Sequence, residues 1–168
     1  MTNDLDGLIA EATQKHLPQN YDWRLLKAQY YQESRFNPEA MSPVGARGIA
    51  QFMPATWDEW APKAGFESAD ASEIEASIFT GAMYMSYLMS QWAWERPEID
   101  RVCLAMASYN AGLGNILKAQ EVMGDPSKYT NIIRGLPSIT GGFSQETMNY
   151  VRHILAYYND EITGPLIY

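Results

Sequence analysis

Cysteine is nearly absent. Cys103 is the only one in 168 residues, which excludes an intramolecular disulfide framework and a cysteine metal cage. On an apolar helix face it reads as core packing. Histidine is scarce as well: His16 and His153 stand far apart and form no paired ligand motif, so both are expected to be solvated or hydrogen-bonded and no metal is expected. Basic residues are outnumbered, 12 Lys+Arg against 20 Asp+Glu for a net charge of −8, which argues against a nucleic-acid partner. Charged residues make up only 19% and hydrophobic ones 46%, too apolar for disorder. Gly112-Leu113-Gly114 lacks the third glycine of a dinucleotide fingerprint, and no strand precedes it. The start, Met1-Thr2-Asn3-Asp4-Leu5-Asp6-Gly7, has neither the basic opening nor the apolar run of an export signal, so such an address is read as absent or removed.

What is present is mostly helical, and the length suits a single domain over 1–168. Leu5, Leu8, Ile9 and Ala12 mark an amphipathic first helix stopped before Pro18. Asp22 is the expected N-cap of a second helix through Trp23, Leu26, Ala28 and Tyr30, fading between Glu33 and Phe36. Residues 37–48 hold two prolines and two glycines and read as a loop or small β-excursion. Short helical pieces are expected at Ile49–Phe52 and Pro54–Trp60, then a long helix from about Glu73 to Trp94. The stretch Ala76 to Trp94 carries no charge, but its polar interruptions and its Ile78, Ala82, Met85, Met89 and Trp92 spacing predict a buried helix rather than membrane insertion. Pro97 opens another helix, and residues 111–123 read as one more. Residues 124–143, rich in Gly, Pro and Ser, read as a long surface loop before a last helix starting near Ser144.

Two carboxylates stand out. Glu33 falls near the C-terminal end of an apolar helix, flanked by Tyr30, Tyr31 and Phe36. The negative dipole end and apolar neighbours both push its pKa up, as a general acid near neutral pH requires. An ordinary helix-terminal glutamate is the alternative. Glu146 sits in the first turn of the last helix, where the positive dipole end favours its ionised form, and N-terminal helix stabilisation alone would account for it.

Several blocks then occur in a telling order. Gln32-Glu33-Ser34-Arg35-Phe36-Asn37-Pro38 is followed by Ala40, Ser42, Gly45-Ala46 and Gly48, then by Gln51-Phe52-Met53-Pro54-Ala55-Thr56. Further on come Ser108-Tyr109-Asn110-Ala111-Gly112, Glu146-Thr147 and Tyr150-Val151. Over about residues 21–158 the chain resembles the catalytic domain of soluble lytic transglycosylases of the SLT type, relatives of goose-type lysozyme. It differs at Ser108, where members often have Ala, and at Ile49-Ala50, where many carry Leu-Met.

The resemblance implies a mainly α, lysozyme-like fold with a substrate cleft, acting on peptidoglycan glycan strands without a cofactor; a monomer is expected. It implies cleavage of the β-1,4 bond between N-acetylmuramic acid and N-acetylglucosamine, leaving 1,6-anhydro ends. By motif, Glu33 becomes the acid and then the base, and Ser34 would hydrogen-bond near the substrate acetamido group or the glutamate. Gln51 and Met53 would line the cleft, Tyr109 would hydrogen-bond near Glu33, and Asn110 would shape the cleft. Glu146 and Tyr150 match the block near the catalytic site. A hydrolytic muramidase and an inactive wall-binding virion module are the alternatives. Without an export signal, the expected setting is a bacteriophage lysin, carried in the virion or released from host cytoplasm to the wall; a periplasmic enzyme whose signal was removed is the other.

Overall fold

Helices account for the regular structure in a computed structural model that describes residues 4–163. Met1, Thr2 and Asn3 of the N-terminal reading lie outside the described residues. The elements are α1 (Asp6–His16), α2 (Trp23–Ser34), α3 (Pro54–Lys63), α4 (Ile74–Gln91), α5 (Glu98–Ala111), α6 (Leu113–Val122), α7 (Tyr129–Ile132), α8 (Pro137–Thr140) and α9 (Ser144–Thr163). Two isolated antiparallel bridges, Met41 with Arg47 and Arg47 with Phe52, form the small β-excursion. The mainly α expectation holds.

The boundaries follow from local chemistry. Asp22 caps α2 by accepting from the Arg24 amide at 3.0 Å, which satisfies one of the amides a helix start leaves unpaired. Pro54 occupies the first turn of α3, where its missing N–H costs nothing. Gly112, at φ +86°, separates α5 from α6. Beyond Glu75 in its first turn α4 carries no charge, and it is buried along Ala76, Ile78, Phe79, Ala82, Met85, Leu88 and Met89. Among the described residues no helix is long and apolar enough to cross a membrane.

Two expectations are corrected. Ile49–Phe52 is a turn rather than a short helix. Gln51 has a left-handed backbone at φ +50°, and Phe52 exchanges both backbone bonds with Arg47 at 2.9 Å, so a continuous right-handed turn is excluded. Residues 124–143 are not a long surface loop. They hold α7, α8 and the 3-10 turns Ile133–Gly135 and Gly141–Phe143, with Ile132, Ile133 and Leu136 buried. Their Gly and Pro serve helical structure: Pro137 starts α8, and a Cβ at Gly135 would lie 2.6 Å from the Ala119 carbonyl oxygen.

The described chain gathers into two compact units, residues 4–86 with 154–163, and residues 87–153. In the first, Ile9, Leu26, Tyr30, Ile49, Ile78 and Met85 are fully buried apolar side chains. Lys27 is fully buried too, with Nζ 2.8 Å from Asp6 and 2.5 Å from Glu161, so one cation joins α1, α2 and α9. In the second unit, Trp92, Leu104, Met106 and Ile116 are buried. There the indole of Trp92 donates to Ser108 Oγ at 3.1 Å, and Ser108 donates to the Leu104 carbonyl at 2.7 Å. The Ser108 hydroxyl therefore gives a buried indole N–H its acceptor, which an alanine could not do.

Candidate active site

The first unit places Glu33 in the last turn of α2, half-buried. One turn earlier, Tyr30 is buried and donates to the Ile78 carbonyl at 2.7 Å. Burial holds the Tyr30 phenol well above its ordinary pKa, with smaller contributions from Tyr21 and the Glu33 carboxylate. Tyr30 is thus a buried neutral group one turn from Glu33 on the same helical face. Space for that phenol comes from Gly81 on α4, where a Cβ would lie 2.5 Å from the Tyr30 hydroxyl.

After Glu33 the helix stops abruptly. Arg35 and Phe36 both take left-handed backbone conformations, φ +55° and +62°, unfavourable for residues with a Cβ. Aromatic contacts hold them there. The Arg35 guanidinium lies 4.2 Å from the Tyr31 ring centre and 5.0 Å from that of Tyr157, and donates to the Tyr157 hydroxyl at 2.9 Å. Phe36 packs on Tyr31 at 5.5 Å between centroids.

The following loop is tied back to the helix end. Ser34 Oγ donates to the Ile49 carbonyl at 2.9 Å. Ala50 N donates to Ser77 Oγ at 3.1 Å. The Gln51 amide nitrogen donates to the carbonyls of Gly48 and Ala40, at 2.9 and 3.1 Å. A Cβ at Gly48 would overlap the Ala71 carbonyl oxygen, so only glycine lets the loop lie this close. Ser34 and Gln51 therefore both fasten the loop beside Glu33. Met53 is exposed where α3 begins.

The second unit gathers another group. Tyr109 and Asn110, both half-buried, end α5. Thr147 donates to Asn110 Oδ1 at 2.7 Å. Glu146, exposed in the first turn of α9, shares with Asn110, Asn115, Phe143 and Thr147 the wall of a cavity of about 380 Å³. Tyr150 is buried one turn further along α9.

The remaining reactive side chains look structural. Burial pushes the Cys103 thiol up to about 12, with a further push from Asp100, so it stays protonated and packs as an apolar group. His16 meets the edge of Phe79 at 6.1 Å, and burial, then Lys15, lowers its pKa. Of the supporting residues, Tyr30 and Arg35 stand in the sequence reading as a flank of Glu33 and a member of its motif, whereas Gly81 is given no role. Gly81, a glycine inside an apolar helix pattern, was the available signal for a close approach.

A model of the transglycosylase SLT domain family matches residues 8–132. The membrane-bound lytic murein transglycosylase F of Actinobacillus succinogenes is 32% identical, over 98% of this chain and 38% of its own. Its namesake in Serratia proteamaculans is 34% identical, over 81% of this chain and 30% of its own. The chain thus spans well under half the length of these curated relatives. Among solved structures, an inactive mutant of the lytic transglycosylase Slt from Pseudomonas aeruginosa superposes with a TM-score of 0.73 at 26% identity, covering 97% of this chain and 25% of that one.

Proposed function

Because this chain belongs to the transglycosylase SLT domain family, we propose that it is a peptidoglycan lytic transglycosylase acting on the bond between N-acetylmuramic acid and N-acetylglucosamine. The observation that carries this reading is Glu33, half-buried at the end of α2 with the Ser34-anchored loop beside it. The names of the relatives, lytic murein transglycosylases, support the substrate class. We read the whole chain as one lysozyme-like catalytic domain, with Tyr109, Asn110, Glu146 and Tyr150 as substrate-binding residues in addition to Ser34, Gln51 and Met53.

In this mechanism Glu33 begins protonated and gives its proton to the leaving glycosidic oxygen as the bond to C1 breaks. The resulting carboxylate takes the proton of the muramic acid C6 hydroxyl, and O6 closes on C1 of the same ring. The glutamic acid is regenerated and no water is consumed. A substrate hydroxyl thereby replaces the second carboxylate that most glycosidases need. The fixed helix end suits this double role, since one carboxyl must reach both oxygens in turn.

Glu33→Gln should lower the rate by about 10²–10⁴-fold, the usual reach of acid–base catalysis, with thermal unfolding unchanged. Full activity in that variant would refute the assignment. The products of wild-type digestion separate the alternatives by mass: anhydro ends are one water lighter than hydrolysed ends, so hydrolysed ends would make the protein a muramidase. Binding to the wall without release of fragments would leave it a wall-binding module.

A further inference from the structure

We propose that the cavity lined by Arg47 and Phe52 receives the peptide substituent of the glycan, with Arg47 anchoring a peptide carboxylate; this rests on the peptidoglycan reading above. The cavity measures about 380 Å³ and is lined by Met41, Arg47, Phe52, Trp57, Asp58 and Asp70, among others. All belong to the first unit, as Glu33 does.

The lining has a definite chemistry. Its floor is apolar: Phe52 and Trp57 are buried and meet edge to face at 5.4 Å between centroids. Trp57 is held by its indole N–H, which donates to the Ala69 carbonyl at 3.1 Å. The rim carries both signs of charge, Arg47 against Asp58 and Asp70. Arg47 stands on rigid backbone, bonded to Phe52 through both its amide and its carbonyl. Its guanidinium is 4.0 Å from Asp70 Oδ2, and the two side chains are 55% and 59% exposed. That pair is too long for a hydrogen bond, so it leaves a planar donor fork facing solvent, suited to a carboxylate.

Sugar hydroxyls can hydrogen-bond to such a rim but carry no charge to pair with it. A short peptide with carboxylates, an amino group and alanine methyls matches it group for group: carboxylate to Arg47, ammonium to Asp58 and Asp70, methyls to the aromatic floor. Placement agrees with this. Arg47 and Phe52 belong to the loop that Ser34 fastens beside Glu33, and the peptide hangs from the muramic acid ring whose bond is cleaved.

The test compares Arg47→Glu with wild type on peptide-bearing peptidoglycan and on glycan strands stripped of peptide by an amidase. The variant should lose about tenfold in kcat/KM on the first, as for loss of a charge-assisted hydrogen bond, and nothing on the second; Arg47→Lys should retain part of the preference. Equal effects on both substrates, including none, would overturn the proposal while leaving the transglycosylase reading in place. If wild type cleaves neither substrate, calorimetric titration with a disaccharide-tetrapeptide and with the bare disaccharide decides. Peptide-dependent binding weakened about tenfold by Arg47→Glu upholds the subsite although the catalytic reading fails; binding indifferent to Arg47 overturns it. Unchanged thermal unfolding of the variant excludes misfolding as the cause.

Discussion

Gly81 does its work by having no side chain. A Cβ there would lie 2.5 Å from the Tyr30 hydroxyl, 3.0 Å from its ring and 3.1 Å from the Ala50 Cβ. In an open helix, Gly→Ala gains about 1 kcal/mol. Here overpacking of about 1–3 kcal/mol opposes that gain. We expect Gly81→Ala to be destabilising on balance, read as a lower urea midpoint, and to be less harmful in a Tyr30→Phe background, where the hydroxyl is gone. Activity should fall along with stability, because Tyr30 packs one turn before Glu33. A stabilised Gly81→Ala protein would refute this account of α4.

At the scale of elements, α2 shows how a helix end is set. Asp22 accepts from the Arg24 amide and guanidinium and, at 3.0 Å, from the Tyr158 hydroxyl. The Arg24 side chain holds the Asp22 carboxyl below its ordinary 3.8, against the opposing effect of burial and with help from the Arg24 amide and Tyr158. A carboxylate with a lowered folded-state pKa adds stability that is fully present above 3.8 and is lost as pH falls through the folded value. The stability gap between wild type and Asp22→Asn should therefore shrink as pH drops below 3.8, measured by unfolding at each pH. Asn retains the cap, so the difference isolates the charge. A gap constant down to strong acid would refute it.

This cap was legible from sequence because one residue type at a helix boundary carries the signal. Pro54 and the α9 start near Ser144 were legible for the same reason. The turns at 129–143 were not, because Gly135 serves close packing against Ala119 and Pro137 opens a helix, while composition reads both as loop formers. The motif located Glu33 and its loop. It could not show that Arg35 holds a left-handed turn through Tyr157, 122 residues away, or that Ser34 spends its hydroxyl on the Ile49 carbonyl.

For the molecule as a whole, Lys27 is the interior charge that matters. Burial pushes its pKa down, but hydrogen bonds and charge from Asp6 and Glu161 outweigh that and raise it above 10.5. A cation with a raised folded-state pKa adds stability that is fully present below 10.5 and is lost as pH rises through the folded value. Lys27→Ala should cost about 3 kcal/mol, as for breaking a buried ion pair. Lys27→Met should cost less, since it keeps the volume. Chemical unfolding of both variants checks the order, and equal losses would mean that packing is irrelevant at this site.

The same triad has a bearing on synthesis. Lys27 emerges from the ribosome 134 residues ahead of Glu161. At about 5–20 residues per second the wait is roughly 7–27 s. Residues 87–153 are continuous and can condense meanwhile. The unit that holds Glu33 closes only when α9 arrives, so a nascent chain carries Glu33 well before it can assemble that residue's folded surroundings.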